Sequence, residues 1–360
     1  MKVSSRLPKL RQKLAEKEIE AILVSQPENR YYLSGFDGSS GFLLITAQQT
    51  VLATDFRYIE QAGKQAPDYE IFRTTNNIAD WFPKLVEGLG VRRLGFEAGS
   101  VTFTLHHQIR DALNKKQILL KLVPLDGVIE SLRAVKEPGE LELIKKAVAI
   151  SDAAYEYIAG IIQPGMTEKL VAWEIEKCLR QNGSQTVPFE IIVAAGPNSA
   201  LPHARPSERT INPGEPIVID MGARFDGYTS DLSRTICLGT PDDTFKKVYG
   251  VVLDAQLTAV SIINEGTTGN NADRAARAVI EKAGYGEAFG HALGHGVGLA
   301  PHELPRLGPG STEPLTSGMV FTIEPGIYLS GWGGVRIEDT ATIDNGKAGL
   351  ISRARKVRYD

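Results

Sequence analysis

The chain has 360 residues, enough for two ordinary domains, because a single hydrophobic core stops growing at roughly 250 to 300 residues. Hydrophobic residues make up 42% and charged residues 23%, which excludes a disordered chain and indicates a globular one. A formal net charge of −3 and a pI near 6.1 give no electrostatic reason to expect nucleic acid as the main partner.

The N-terminus, MKVSSRLPKLRQKLAEKEIEAILV, starts basic, but acidic residues interrupt it before a signal-peptide hydrophobic region forms. No apolar run approaches the roughly 20 residues that a membrane helix needs, so no membrane partner and a cytoplasmic location are expected. In this opening stretch Leu7, Leu10 and Leu14 recur at helical spacing, and Ile19 to Val24 then form a short apolar run suited to a strand. NRYYLSGFDGSSGFLLI, residues 29 to 45, reads as strand, glycine-serine turn and strand, and VLATDFRY, residues 51 to 58, as a further strand. RRLGFEAG and ILLKLVPL continue the strand-like pieces to about Val128. His106 and His107 lie in this half without a ligand constellation around them.

DGVIESLRAVKEPGE combines a connector with Pro138, Gly139 and Glu140 just before a helical pattern, which places a domain boundary here: residues 1–128 as a smaller α/β domain and 129–360 as the second. LELIKKAVAISDAAYEYIAGII is a long amphipathic helix, and TEKLVAWEIEKCLRQNG is another that ends at Gly183. PFEIIVAAG, PIVIDMGARFDGYTSDLSRTICLG, MVFTIEPGIYL and GGVRIEDTATI supply strands, with a helical section between residues 243 and 284. This second half is antiparallel α+β rather than a βαβ series. Cys178 and Cys237 belong to no CxxC or comparable spacing and read as buried free thiols.

The chemistry sits in the second half. Asp220 ends PIVID, Glu324 follows VFTI, Glu338 follows VRI, and Asp231 lies in TSDLSRT. Acids at the ends of buried strands cost several kcal/mol each unless something neutralises them. Two divalent cations would neutralise four carboxylates, with His295 completing an oxygen-rich shell that suits Mn²⁺ or Co²⁺ better than a thiolate-rich zinc site; Zn²⁺ is the third candidate. Asp220 and Asp231 are 11 residues apart on one apparent hairpin, and Glu324 and Glu338 are 14 apart on another, so two hairpins converge their acids on one site. The alternative for each acid alone is a local cap or turn, which is the reading for Asp226. His295, in HALGHGVGLAPHE with His291 and His302, is a ligand or a hydrogen-bonded turn histidine; glycines at 294, 296 and 298 let backbone approach closely. Arg336, two residues before Glu338, either orients a ligand through a salt bridge or contacts substrate.

PFEIIVAAGPNSALPHA, VIDMGARFDGYTSDLSRT, HALGHGVGLAPHE, TIEPGIY and GGVRIED, in this order, resemble the pita-bread metallopeptidases, in particular their proline-directed branch of Xaa-Pro dipeptidases (prolidases) and aminopeptidases P. NRYYLSGF with TDFRY resembles that branch's N-terminal domain. The resemblance implies that Asp220 binds one metal, that His295 and Glu324 bind the other, and that Asp231 and Glu338 bridge the pair, which acidifies a water for attack on the scissile carbonyl. It further implies a proton-shuttling part for Glu324, hydrogen bonding of His302 to the carbonyl oxygen, substrate-pocket parts for His203 and His291, and a contact of Arg306 with the substrate's free carboxylate. It implies a homodimer as well. An Xaa-Pro dipeptide is the expected substrate, with longer peptides, as for aminopeptidase P, the alternative. Methionine aminopeptidases usually lack the N-terminal domain, and creatinases lack the metal set. A non-enzymatic, peptidase-like binding module is the alternative of a different class.

Overall fold

The computed structural model describes residues 5–359. The chain divides into two compact units, one ending at Arg133 and the other beginning at Ala134.

The first unit runs α1 (Arg6–Glu16), β1 (Ala21–Val24), α2 (Pro27–Ser34), β2 (Phe42–Thr46), β3 (Thr50–Thr54), α3 (Ile59–Gln65), β4 (Glu70–Arg73), α4 (Ile78–Val86), β5 (Arg93–Glu97), α5 (Phe103–Lys115), β6 (Lys121–Leu125) and α6 (Glu130–Arg133). Its six strands form one mixed sheet in the order β4-β3-β2-β1-β5-β6. Ala21, Leu23, Leu44 and Leu94 pack on that sheet against Trp81 and Phe82 of α4 and Ile109 and Leu113 of α5.

Two sequence expectations fail here. The strand expected over NRYYLS is the helix α2, because Pro27 presets its first turn and Gly35, at φ 76°, closes it by donating to the Tyr31 carbonyl at 2.7 Å. The strand expected to reach Tyr58 stops at Thr54, where Arg57 turns back to grip the Asp55 carboxylate with Nε at 2.8 Å and Nη2 at 2.9 Å.

The second unit contains α7 (Pro138–Ile161), α8 (Glu168–Gln181), β7 (Ile192–Ala195), β8 (Pro216–Met221), β9 (Arg224–Phe225), β10 (Tyr228–Thr229), β11 (Leu232–Cys237), α9 (Asp243–Ile262), α10 (Gly269–Lys282), β12 (Gly294–Gly296), β13 (Glu303–Leu307), β14 (Val320–Ile323), β15 (Gly326–Leu329), β16 (Gly333–Arg336), β17 (Asp339–Asp344) and β18 (Lys347–Leu350). Helix starts follow local chemistry: Thr167, Asp242 and Thr268 cap α8, α9 and α10 by accepting from backbone N–H groups. Asp226 and Gly227, both at positive φ, make the tight turn between β9 and β10.

Two antiparallel sheets, β11-β8-β7 and β13-β12-β14-β17-β18, each back onto a helix pair. Ile158, Ile175, Val193 and Ile219 share the core under α7 and α8; Val252, Ala276, Phe321 and Ala341 share the one under α9 and α10. The unit is α+β with antiparallel pairing. Cys178 is a buried free thiol, whereas Cys237 is free and only partly buried because it ends β11.

Candidate metal centre

Strand alternation decides which side chains meet. Ile217, Ile219 and Met221 of β8 point into the helix-backed core, so Asp220 points to the other face. Leu232 and Ile236 do the same for β11, which puts Asp231 and Ser233 on the face of Asp220; Ser233 pairs directly with Asp220. Phe321 and Ile323 of β14 and Ala341 and Ile343 of β17 face the second core, leaving Thr322, Glu324, Glu338 and Thr340 on the opposite side. The two sheets are joined at this face: Glu338 donates its N–H to the Ser233 carbonyl at 3.0 Å, and Thr340 donates its hydroxyl to the Asp231 carbonyl at 3.0 Å.

The result is a cluster of acids, Asp231 and Glu338 buried and Asp220 and Glu324 half-buried. Carboxylate oxygens of Asp220, Asp231 and Glu338 lie within 4.8 Å of one another. His295, from β12, reaches the same group: its Nε2 is 3.1 Å from Glu324 Oε1 and 3.7 Å from Asp231 Oδ2. The glycines around it allow this strand to sit tight, since a Cβ at Gly294 would collide with the Thr322 carbonyl and one at Gly296 with the Leu304 carbonyl. The four acids and one imidazole singled out in the sequence therefore come together from five separated segments.

The electrostatics are those of a site built for cations. Burial first, and then the charges of Glu338, Asp220 and Glu324, push the Asp231 carboxyl well above the usual carboxylate range. Glu338 rises for the same reasons, burial followed by Glu324 and Asp220. Burial also raises Asp220, against the opposing charge of Arg336. Glu324 differs: burial works to raise it, but the hydrogen bond and charge of His295, together with the charges of His291 and Arg336, outweigh burial and hold it at about 2. Asp220 Oδ1 and Glu338 Oε1 are buried without any hydrogen-bond partner. Orphaned buried carboxylate oxygens of this kind cost free energy that a bound cation recovers. Hard oxygen donors with one imidazole fit divalent metal ions.

Arg336 resolves one of the sequence alternatives. Its Nη2 donates to Asp220 Oδ2 at 2.7 Å, Nη1 to the Tyr328 hydroxyl at 2.9 Å and to the Pro202 carbonyl at 3.3 Å, and Nε to Ser233 Oγ at 2.9 Å. Buried and so engaged, it orients an acid of the cluster; the salt bridge is what forms. Arg306 is exposed on β13 and pairs directly with His295, and residues directly opposite in antiparallel strands project from the same face. His302 packs against His295, with ring centroids 4.0 Å apart and the ring planes tilted by 36°. Burial, followed by the charge of His295, pushes His302 down, with a smaller contribution from His203. His203 itself is exposed, in the loop whose Pro202 holds Arg336. His291 Nδ1 lies 2.8 Å from the Ala292 carbonyl and Nε2 lies 3.0 Å from the Tyr328 hydroxyl; burial lowers its pKa. The imidazole thus donates through Nδ1 and presents Nε2 to Tyr328.

Sequence reasoning passed over Tyr328 and Thr322. Tyr328 links His291 to Arg336, and the Thr322 hydroxyl accepts from the His295 N–H at 3.1 Å and donates to Glu324 Oε1 at 2.9 Å. Thr322 was findable by period-two counting, two residues before Glu324, whereas Tyr328 shares a face with Arg336 only through the β15–β16 register, in which it pairs with Gly334.

Comparison with known proteins agrees with this geometry. Residues 142–345, more than half of the chain, match the profile of Metallopeptidase family M24, and residues 6–135 match the Creatinase/Prolidase N-terminal domain. The chain is 36% identical to a Xaa-Pro dipeptidase of Pyrococcus horikoshii, over 99% of both sequences. Among solved structures it is similar to a Xaa-Pro dipeptidase from Bacillus anthracis (TM-score 0.94, 40% identity, 99% of each chain). It is also similar to an X-Pro aminopeptidase from Thermotoga maritima (TM-score 0.88, 37% identity, 97% of this chain and 98% of that one). These matches cover both units, and the acid cluster lies within the matched catalytic region: the chain belongs to Metallopeptidase family M24 and is a peptidase of the pita-bread fold that works with divalent metal ions.

Proposed function

We propose that the chain hydrolyses the peptide bond before proline, with Xaa-Pro dipeptides preferred. The observation that carries this reading is the convergence of Asp220, Asp231 and Glu338 within 4.8 Å, beside a His295 whose cross-strand partner is Arg306. Asp220, Asp231, His295, Glu324 and Glu338 would hold two divalent ions, Mn²⁺ or Co²⁺ ahead of Zn²⁺. Bound there, such ions supply Lewis acidity, polarising a carbonyl and lowering the pKa of water. Residues 129–360 are the catalytic domain in this reading and 1–128 the N-terminal one. The active form is a homodimer of a cytoplasmic protein, a state that light scattering reads against the 39.1 kDa chain.

The remaining parts belong to this chain's own side chains. Arg336 fixes the Asp220 carboxylate by its 2.7 Å contact. Glu324, held ionised by His295, is the proton carrier. His302, open to solvent beside His295, hydrogen-bonds the carbonyl oxygen as charge develops on it. His291 and His203 shape the pocket. Arg306, exposed on the face of His295, holds the free carboxylate that a dipeptide places just beyond the scissile bond.

Similarity to the Thermotoga maritima X-Pro aminopeptidase supports a second reading, in which longer peptides are preferred. The two separate in one assay, kcat/KM for Ala-Pro against Ala-Pro-Ala in wild type and Arg306→Ala. The dipeptide should win in wild type. Arg306→Ala should lower dipeptide cleavage on the order of ten-fold, as expected for loss of a charge-assisted contact, and lower tripeptide cleavage less. A preference for the tripeptide, with dipeptide cleavage untouched by Arg306→Ala, selects the aminopeptidase reading.

A further inference from the structure

His302 has a placement problem that neighbouring side chains do not solve. Among the described residues its ring meets the His295 ring but makes no hydrogen bond, so no hydrogen bond anchors the imidazole and the loop backbone decides where it stands against that ring. That loop is pinned on one side by β10: Thr229 donates its N–H to the Gly298 carbonyl at 2.7 Å and its hydroxyl to the Gly298 and Ala300 carbonyls at 2.9 and 3.3 Å. Arg224 adds Nη1 to the Leu299 carbonyl at 3.2 Å.

The other side is held by an ion pair outside the metal-ligand set, between the last residue of HALGHGVGLAPHE and a lysine in the connector before Pro138. Glu303, next to His302, accepts Lys136 Nζ at 2.8 Å through Oε1, and the side chains are only 4% and 1% exposed. Lys136 is itself fixed, donating its N–H to the Gly318 carbonyl at 2.9 Å and Nζ to the Ala134 carbonyl at 3.3 Å. The Glu303 carboxylate fills the space where Gly298 would carry a Cβ, and its Oε2 accepts the Ala300 N–H at 3.4 Å. One carboxylate therefore touches both ends of the loop that carries His302. A buried ion pair is a poor way to gain stability, since apolar residues of the same volume do as well, and its value lies in fixing one geometry.

We propose that Lys136 is a positioning residue for His302, acting through the Glu303 carboxylate that clamps the loop from Gly298 to Glu303. The proposal rests on the peptidase reading above. It is tested on the full chain, reconstituted with Mn²⁺ for kinetics, as wild type, Lys136→Met, Lys136→Arg and the double variant Lys136→Met/Glu303→Met. Three quantities are read: the thermal midpoint, kcat and KM for Ala-Pro, and the His302 ring signal in ¹H–¹³C spectra of histidine-labelled, metal-free protein at one pH, assigned with His302→Asn.

Lys136→Met should unfold at lower temperature, lose on the order of ten-fold in kcat with KM within about two-fold, and show a displaced or doubled His302 signal. Lys136→Arg, which keeps the charge, should recover most of kcat. The double variant removes both charges of the pair, so its midpoint should return toward wild type while kcat stays low and the His302 signal stays displaced. A double variant with wild-type kcat and a wild-type His302 signal overturns the proposal, and so does one that fails to fold, which would make the pair purely structural. If wild type cleaves neither Ala-Pro nor Ala-Pro-Ala, the peptidase substrate reading fails while the His302 signal still decides the positioning claim.

Discussion

The first unit buries a carboxylate at the end of a strand, and so does the second, with opposite consequences. Glu97 ends β5, and its oxygens accept the Ser25 N–H at 2.5 Å, the Ser25 hydroxyl at 3.0 Å, the Gln26 N–H at 2.7 Å and Asn29 Nδ2 at 2.6 Å. The acid is a brace for the start of α2, complete in itself. In the second unit Asp220 Oδ1 and Glu338 Oε1 are equally hidden and have no donor. The contrast repeats over one residue step: Asp339, on the opposite strand face from Glu338, accepts Arg234 at 2.7 Å, Gln256 at 2.7 Å and Lys356 at 2.6 Å. Burial of an acid therefore says little about function; burial without protein donors is the mark of a site that suits a cation.

The sharpest way to break this comparison is to neutralise one acid of the cluster. Asp231→Asn should cost roughly a thousand-fold in kcat/KM if Asp231 holds metal as proposed, because it removes one charge of the cluster. Wild-type turnover in that variant would remove Asp231 from the metal centre.

Metal should act on stability as well as on rate. A ligand at 100 times its dissociation constant stabilises the fold by about 2.7 kcal/mol, so adding Mn²⁺ to chelator-treated protein should raise the thermal midpoint, and Glu338→Gln should blunt that rise. An unchanged midpoint would mean that the cluster does not bind the ion.

The pH dependence of the metal-free protein has a definite sign. Asp231 and Glu338 have folded-state values raised above their unfolded ones, so the fold binds protons more tightly and loses stability as pH climbs above about 4, the unfolded carboxylate value. Glu324, held at about 2, works the other way: its contribution is present above about pH 4.3 and is lost as pH falls toward 2. Urea midpoints measured from pH 4 to 8 should fall in metal-free wild type and fall less in Glu338→Gln. Parallel curves for the two proteins would contradict mutual repulsion in the cluster.

Glu97→Gln gives the smallest effect and completes the contrast. It should destabilise the protein by about 1–3 kcal/mol through weakened buried hydrogen bonds, and leave Mn²⁺ affinity as in wild type. A loss of metal affinity would show that the two kinds of buried acid are not independent.

Much of the second unit was legible before folding. The strands around Asp220, Glu324 and Glu338 are short β-branched runs, and acids at their ends violate ordinary patterning strongly enough to be noticed. The first unit misled at NRYYLS, whose tyrosines and leucine suit a strand; Pro27 and Gly35, which bracket it, carried the helical information. Arg336 stood undecided between a ligand partner and a substrate contact because two residues of spacing specify a face and not a partner. Glu303 closes HALGHGVGLAPHE and Lys136 lies in the connector before α7, but nothing local pairs them, since they stand 167 positions apart.

Local sequence carried the chemistry on offer: three strand-end acids, a fourth in TSDLSRT, a histidine among glycines, and the alternation that sends Asp220 and Glu338 away from the helix-backed cores. The tertiary structure alone decided that the two hairpins meet, through the Glu338 N–H and the Ser233 carbonyl. It also decided which acids find protein donors, so that Asp339 is neutralised by Arg234 and Lys356 while Glu338 is left open. The physical reason is range. Side-chain alternation is written within a few residues of one strand, whereas the partner of a buried charge is whatever the packing of distant segments brings within about 3 Å.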